Sequence, residues 1–290
     1  MTIQEEPQNL LTLSSMRALA SIREGKLRLD SLDDLRPVTE ITLAQEYGPI
    51  FQTVAPASGS RVAVSTRSKA ILAGKAEPHL KLLPIANETS QGQYPPILSF
   101  LSDEVTLVGI DTIPELRVRA WNSENQQPAF AYSLSNIVPN RLAFDTCNDT
   151  MWTVTGSRLL QIQLRTGDIL SKHPIPGRDV GCIAVSNDGQ MLAVAYGDRR
   201  IELVNAHSNK LQSTIFGHVG TVEKLLFTNE GKTLIALDAG HNLRFWNVRT
   251  GTELLSWHVP VKAFDLSSDN QTFTIHYEDQ FERFDLTSRE

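Results

Sequence analysis

The sequence predicts an all-β chain: a seven-bladed β-propeller of four-stranded antiparallel blades, closed by the N-terminal strand. Three observations lead there. Short apolar, β-rich runs recur, each bounded by Gly, Asn, Asp or Ser, which is how strands joined by hairpins read. Taking Leu29, Leu72, Arg119, Ile162, Val204, Trp246 and Phe284 as equivalent third-strand positions gives steps of 43, 47, 43, 42, 42 and 38 residues. A period of about 40–45 residues with four short strands is the spacing of a propeller blade. The turn after the third strand also repeats, as Arg165-Thr166-Gly167 and Arg249-Thr250-Gly251.

The blades are expected at 7–43, 44–86, 87–135, 136–177, 178–218, 219–260 and 261–290 plus 1–6, in one domain over 1–290. The last three carry the plainest pattern. Each opens on an apolar run followed by a polar turn: Asn187-Asp188-Gly189, Asn229-Glu230-Gly231 and Ser268-Asp269-Asn270. A second apolar run, a second turn and a third run follow, the last reading IELVN, LRFWN or FERFD. Earlier units keep the rhythm more faintly. The final unit stops just after its third run, so residues 2–6 are expected to pair as its outer strand, with Pro7 at that strand's end. Closure of this kind removes sheet edges that invite aggregation. The polar stretch 86–96 reads as a surface loop.

With these units in place the chain resembles the WD40-repeat family, most clearly over residues 179–288. Gly217-His218 resembles the family's Gly-His opening, and Trp246-Asn247 its Trp-Asp closing, with Asn247 where Asp is usual. Before about residue 140 the resemblance rests on strand rhythm. It implies structural roles for His218, Trp246 and Asp198. It also implies a departure: Gly240 stands where the sixth blade's turn Asp is expected, and Val204 replaces Trp in the fifth.

Composition narrows the function. The 290 residues are 41% hydrophobic and 21% charged, which favours a folded core. A formal charge of −6 argues against general nucleic-acid binding, which needs clustered positive charge. Two cysteines are too few for a disulfide framework, no apolar run approaches the roughly 20 residues of a spanning helix, and the N-terminus lacks a secretory pattern. A cytoplasmic protein without membrane insertion is expected, monomeric as an isolated domain.

The search for chemistry returns no catalytic, metal or cofactor residues. Gly231-Lys232-Thr233 lacks the upstream glycine of a phosphate-binding loop and reads as a hairpin turn. His276 with Glu278 and Asp279 is the one His-carboxylate grouping, and it reads as a solvated strand end. Of the cysteines, Cys182 reads as buried and Cys147 as accessible. What remains is binding. Loops joining outer to next inner strand share an edge with loops joining second to third strands, the usual docking face in the family this chain resembles. That edge is expected to carry Tyr47, Tyr94, Arg178, Arg199, Arg200, His241 and Tyr277, with the arginines as a local basic patch. The expected function is a non-catalytic scaffold or adaptor for a protein or peptide partner. The alternatives are a lactonase- or hydrolase-like propeller enzyme, and a propeller module of a larger regulatory protein.

Overall fold

Strands covered on both faces read as unbroken apolar runs, and strands with one wet side do not. That distinction orders every sheet of the computed structural model, which describes residues 10–13, 17–23, 26–43, 47–76, 80–86, 95–112, 115–135, 137, 141–175, 179–228, 230–257, 259–267, 272–277 and 280–285. The first sheet holds Leu10–Leu13 (β1), Ala18–Arg23 (β2), Lys26–Ser31 (β3) and Pro37–Ile41 (β4). The second holds Ile50–Val54 (β5), Arg61–Thr66 (β6), Ile71–Lys75 (β7) and Leu83–Ala86 (β8). The third holds Ile97–Phe100 (β9), Thr106–Asp111 (β10), Leu116–Asn122 (β11) and Pro128–Leu134 (β12). The fourth holds Arg141–Asp145 (β13), Thr150–Thr155 (β14), Arg158–Gln163 (β15) and Ile169–Pro174 (β16). The fifth holds Val180–Val185 (β17), Met191–Tyr196 (β18), Ile201–Asn205 (β19) and Leu211–Ile215 (β20). The sixth holds Val222–Phe227 (β21), Thr233–Asp238 (β22), Leu243–Asn247 (β23) and Glu253–Trp257 (β24). The seventh, among the described residues, holds Val261–Leu266 (β25), Thr272–Tyr277 (β26) and Gln280–Asp285 (β27).

Each sheet is a meander in which strands pair in chain order. This is the fold class of an all-β, seven-bladed β-propeller. Second strands are the most buried: β6 and β10 are buried at every position, and β18 and β22 at all but the first. Outer strands such as β4, β16 and β24 are mostly exposed. The outer strand predicted for residues 2–6, and Pro7 with it, lies outside the described residues.

The chain divides into two compact units. Pro139–Lys262 carries blades four, five and six. There Trp152, Leu159 and Ile175 pack against Ile183, Leu192 and Val194. Ile201, Leu203 and Ile215 pack in turn against Val222, Leu234 and Trp246. The second unit, Gln4–Val138 with Ala263–Glu290, carries blades one, two, three and seven. Leu27 and Leu29 of its first blade meet Val62, Val64 and Leu72 of its second. Ala63 and Ile71 of the second meet Leu98, Leu107 and Trp121 of the third. A Cβ on Gly109 would stand 3.1 Å from both Ile71 and Trp121, so glycine makes room for the indole. Beneath it Arg119 pairs with Asp111 at 3.2 Å, both buried, and its guanidinium lies 5.3 Å from the Trp121 ring. Arg283 of β27 donates to the Leu32 carbonyl and faces Asp33 at 4.0 Å, joining blade seven to blade one within this unit. Each fully buried Leu or Phe here contributes roughly 1.5–3 kcal/mol.

One turn recurs between third and fourth strands. Leu35, Gln126, Gly167, Asn209 and Gly251 all have positive φ, and each donates its N–H to the carbonyl four residues back. Only two of the five are glycine. The repeat is therefore deeper in the backbone than in the letters.

Candidate functional site

Blades five and six place a loop edge that is pinned by hydrogen bonds and exposes apolar side chains. It begins with the connection between β20 and β21, residues 216–221. Gly217 has φ 119°, a conformation side chains rarely adopt, so glycine sets the bend. His218 then turns inward. Its side chain is fully buried, and its ring lies 5.3 Å from the Trp246 ring. Gly220 donates its N–H to Asp238 Oδ2 at 3.3 Å. With those three points pinned, the side chains beside them face out: Phe216, just before the bend, is 67% exposed and Val219, between His218 and Gly220, 63%. Val259, in the next connection of the same kind, is 39% exposed.

Asp238 is the knot of this edge. It closes β22, is fully buried, and accepts from the Gly240 N–H at 2.9 Å, the Asn242 N–H at 3.1 Å and Asn242 Nδ2 at 2.9 Å. Burial raises its pKa, but the bonds from Asn242, Gly220 and Gly240 outweigh that and hold the carboxyl below its ordinary range. His218 Nδ1 stands 3.9 Å from it, too far for a hydrogen bond. Neither ring nitrogen has a hydrogen-bond partner among the described residues. Burial first, and the nearby Arg244 charge second, pull the His218 pKa down to about 4, so the ring is neutral at pH 7.

This corrects the expectation that the sixth blade lacks its turn acid. The acid is Asp238, two residues before Gly240. The first residue of a turn can bond the amides that follow it through its own carboxylate, and Asp238 occupies that place. His218, Trp246 and an acid thus belong to one blade.

The predicted partner-binding residues fall as follows. Arg199 and His241 occupy the same place in neighbouring turns, between β18 and β19 and between β22 and β23. Each has positive φ, 69° and 62°, and each donates its N–H to the carbonyl three residues back, Tyr196 and Asp238. Both are exposed. His241 Nδ1 also donates to the Val261 carbonyl at 3.2 Å. Arg200 is half-buried over the Tyr196 ring, at 5.3 Å, and faces Glu202 at 3.4 Å and Asp198 at 3.7 Å. Its charge is therefore balanced locally. Asp198 is exposed and accepts from the Arg200 N–H at 3.3 Å. In the other unit, Tyr47 is half-buried against the core of blades one and two, and Tyr277 is half-buried at the end of β26. Tyr94 and Arg178 lie outside the described residues. Phe216, Val219 and Val259 were not singled out from the sequence; the one signal was their place beside Gly217-His218 and Pro260.

The features weighed for chemistry have ordinary roles. Gly231 donates to the Thr228 carbonyl at 2.7 Å in a hairpin turn, with β22 starting at Thr233. Cys182 is buried and its thiol meets the Val222 carbonyl at 3.5 Å. Cys147 is exposed; partial burial, then Asp145 and Asp188, push its thiol pKa up, away from reactivity. The His276 ring lies 4.7 Å from that of Phe281 and is tilted 34° to it, and Glu278 and Asp279 lie outside the described residues. Among the described residues no group of three or more His, Cys, Asp or Glu is placed to hold a metal ion.

No protein-family model matches the chain. It is 23% identical over 255 residues to the rat echinoderm microtubule-associated protein-like 2, covering 82% of this chain and 38% of that protein. It is 25% identical over 138 residues to zebrafish apoptotic protease-activating factor 1, covering 46% of this chain and 11% of that protein. A WD repeat-containing protein of Synechocystis, sll1491, is 24% identical over 96 residues, covering 33% of this chain and 27% of its own length. The chain thus spans well under half the length of each. A propeller scaffold capable of protein interactions accommodates these likenesses and the fold.

Proposed function

We propose that the chain is a non-catalytic WD40-type scaffold that binds a protein or peptide partner through the loop edge of blades five and six. The observation that carries the reading is the pair Phe216 and Val219, held outward by Gly217, His218 and the Gly220–Asp238 bond. Exposed apolar side chains that lie together mark surfaces a partner covers, and Phe216 and Val219 stand three residues apart on one loop. Fixing them on a pinned loop spares the ordering entropy that a floppy loop would lose on binding. Exposed Arg199 and His241 beside them supply directional bonds at the rim. Both sit at turn positions that glycine fills at less conformational cost, which favours a role for their side chains.

The test is affinity capture with the intact chain and with Phe216→Ser/Val219→Ser. The double variant is expected to keep its melting temperature and to lose at least one partner by roughly tenfold or more. An identical partner set in both samples would remove this edge from the account.

A further inference from the structure

A separate feature runs along the outer strands. In each sheet described with four strands, the pairing of the third strand with the fourth slips by one residue. In five of these sheets the skipped residue is Val38, Ala129, Leu170, Gln212 or Leu254, in each case three residues after the positive-φ residue of the turn. All five are exposed, Leu170 by 53% and Leu254 by 55%. The bulge is not merely how that turn ends. Blade two joins its third and fourth strands by seven residues where the others use five, and its bulge, at Ile85, lies at the far end of the pair. Connection and position both differ there, and the bulge is still present.

An edge strand presents a row of N–H and C=O groups with which a strand of another chain can pair. An extra residue breaks the regular spacing of that row and adds twist. Proline blunts the same row by removing a donor. Prolines stand in the outer strands of blades one to four, as Pro37, Pro84, Pro128 and Pro174. β20 and β24 have none. β20 carries no charge either, and the single charge of β24, Glu253, is held by Arg244 at 2.9 Å. We propose that the outer-strand bulge keeps this chain from pairing edge to edge with a second copy of itself, and that blades five and six depend on it because their outer strands lack proline. Without its bulge, β24 matches its own antiparallel copy: Leu255 stands opposite Ser256 and Glu253 opposite Trp257, with no like charges facing. The device is independent of the loop edge that carries Phe216 and Val219.

Deletion of Leu254 from the full chain tests the proposal. It leaves Glu253 opposite Trp246 and Leu255 opposite Phe245, so every other pair keeps its register. Light scattering across a concentration series should give a monomer for the wild type and, for the deletion, a mass that rises to that of a dimer. Deletion of Leu170 controls for damage to the fold. β16 keeps Lys172 and Pro174, so that variant should stay monomeric. Leu255→Lys added to the Leu254 deletion should restore the monomer, which it would not do for a misfolded chain. Leu254→Ser, which keeps the bulge, and Phe216→Ser, which alters only the loop edge, should leave the mass unchanged. If the Leu254 deletion does not fold, as read by near-ultraviolet circular dichroism, deletion of Gln212 in β20 puts the same question. A folded deletion that stays monomeric throughout would overturn the proposal, as would equal association of the Leu170 deletion or a wild type that associates as the deletion does. Failure of both the Leu254 and the Gln212 deletions to fold would make the bulge a requirement of folding and overturn it too.

Discussion

Blades five and six share a backbone and differ in what pins it. Their turns match position for position at an interval of 42 residues: Gly189 with Gly231, Arg199 with His241, and Asn209 with Gly251 all have positive φ. The side chains at matched places do not match. Tyr196 stands where Asp238 stands, Asp198 where Gly240 does, Arg200 where Asn242 does, and Val204 where Trp246 does. Blade six ties its turn with a buried carboxylate that bonds three backbone amides and one side-chain amide. Blade five ties the same turn with a cation over a ring, flanked by carboxylates. A blade's shape therefore follows from strand pairing and turn geometry, and the polar pin is interchangeable. What is not interchangeable is the loop each pin reaches, and the blade-six pin extends through the Gly220 N–H to the loop that holds Phe216 and Val219.

The largest expected difference lies in the third strands. Trp246 is 3% exposed and Val204 only half-buried, although they are equivalent. Trp246→Ala should lower the free energy of unfolding by about 3–5 kcal/mol in denaturant titration, and Val204→Ala by about 1 kcal/mol. Equal losses would mean that the indole adds nothing a smaller side chain does not.

The second difference appears with pH. His218 titrates near 4 when folded and near 6.5 when unfolded. Above pH 6.5 both states hold the ring neutral, and its contribution is complete. As pH falls from 6.5 towards 4 the unfolded chain takes up the proton and the folded one does not, so stability is lost in that window. The loss should approach about 3 kcal/mol. Calorimetric melts of wild type and His218→Leu should therefore converge as pH is lowered. Parallel curves would show that the histidine does not titrate this way.

The turn acids differ least. Asp238→Ala strands the amides of Gly220, Gly240 and Asn242 and should cost about 2 kcal/mol. Asp198→Ala, at an exposed site with one long bond to Arg200, should stay within about 0.5 kcal/mol. A comparable effect at both positions would make the two pins equivalent.

The same comparison shows what was legible in the letters. The seven sheets follow from apolar runs with a regular interval, because strands such as β18 and β22 are covered on both faces and carry no alternation to disguise them. The turn repeat was read from Gly167 and Gly251 and not from Leu35, Gln126 and Asn209. Positive φ is enforced there by strand pairing on either side and leaves no compositional mark. Asp238 escaped because it reaches forward to its bonds, so counting back from Trp246 lands on the wrong residue. Phe216 escaped for a related reason. It continues the run of β20, and nothing in the letters tells that the chain bends at Gly217 and leaves the ring in solvent. Arg199 and His241 were legible as turn residues, whereas the local balancing of Arg200 by Asp198 and Glu202 needed distances.

The central claim is that a pinned loop presents Phe216 and Val219 to a partner. Amide hydrogen exchange of the chain, alone and with a captured partner, tests it most directly. Gly220, bonded to Asp238, should exchange slowly in the free chain, and residues 216–221 with 239–242 should gain protection in the complex. A complex that forms while both segments exchange as they do in the free chain would contradict the account.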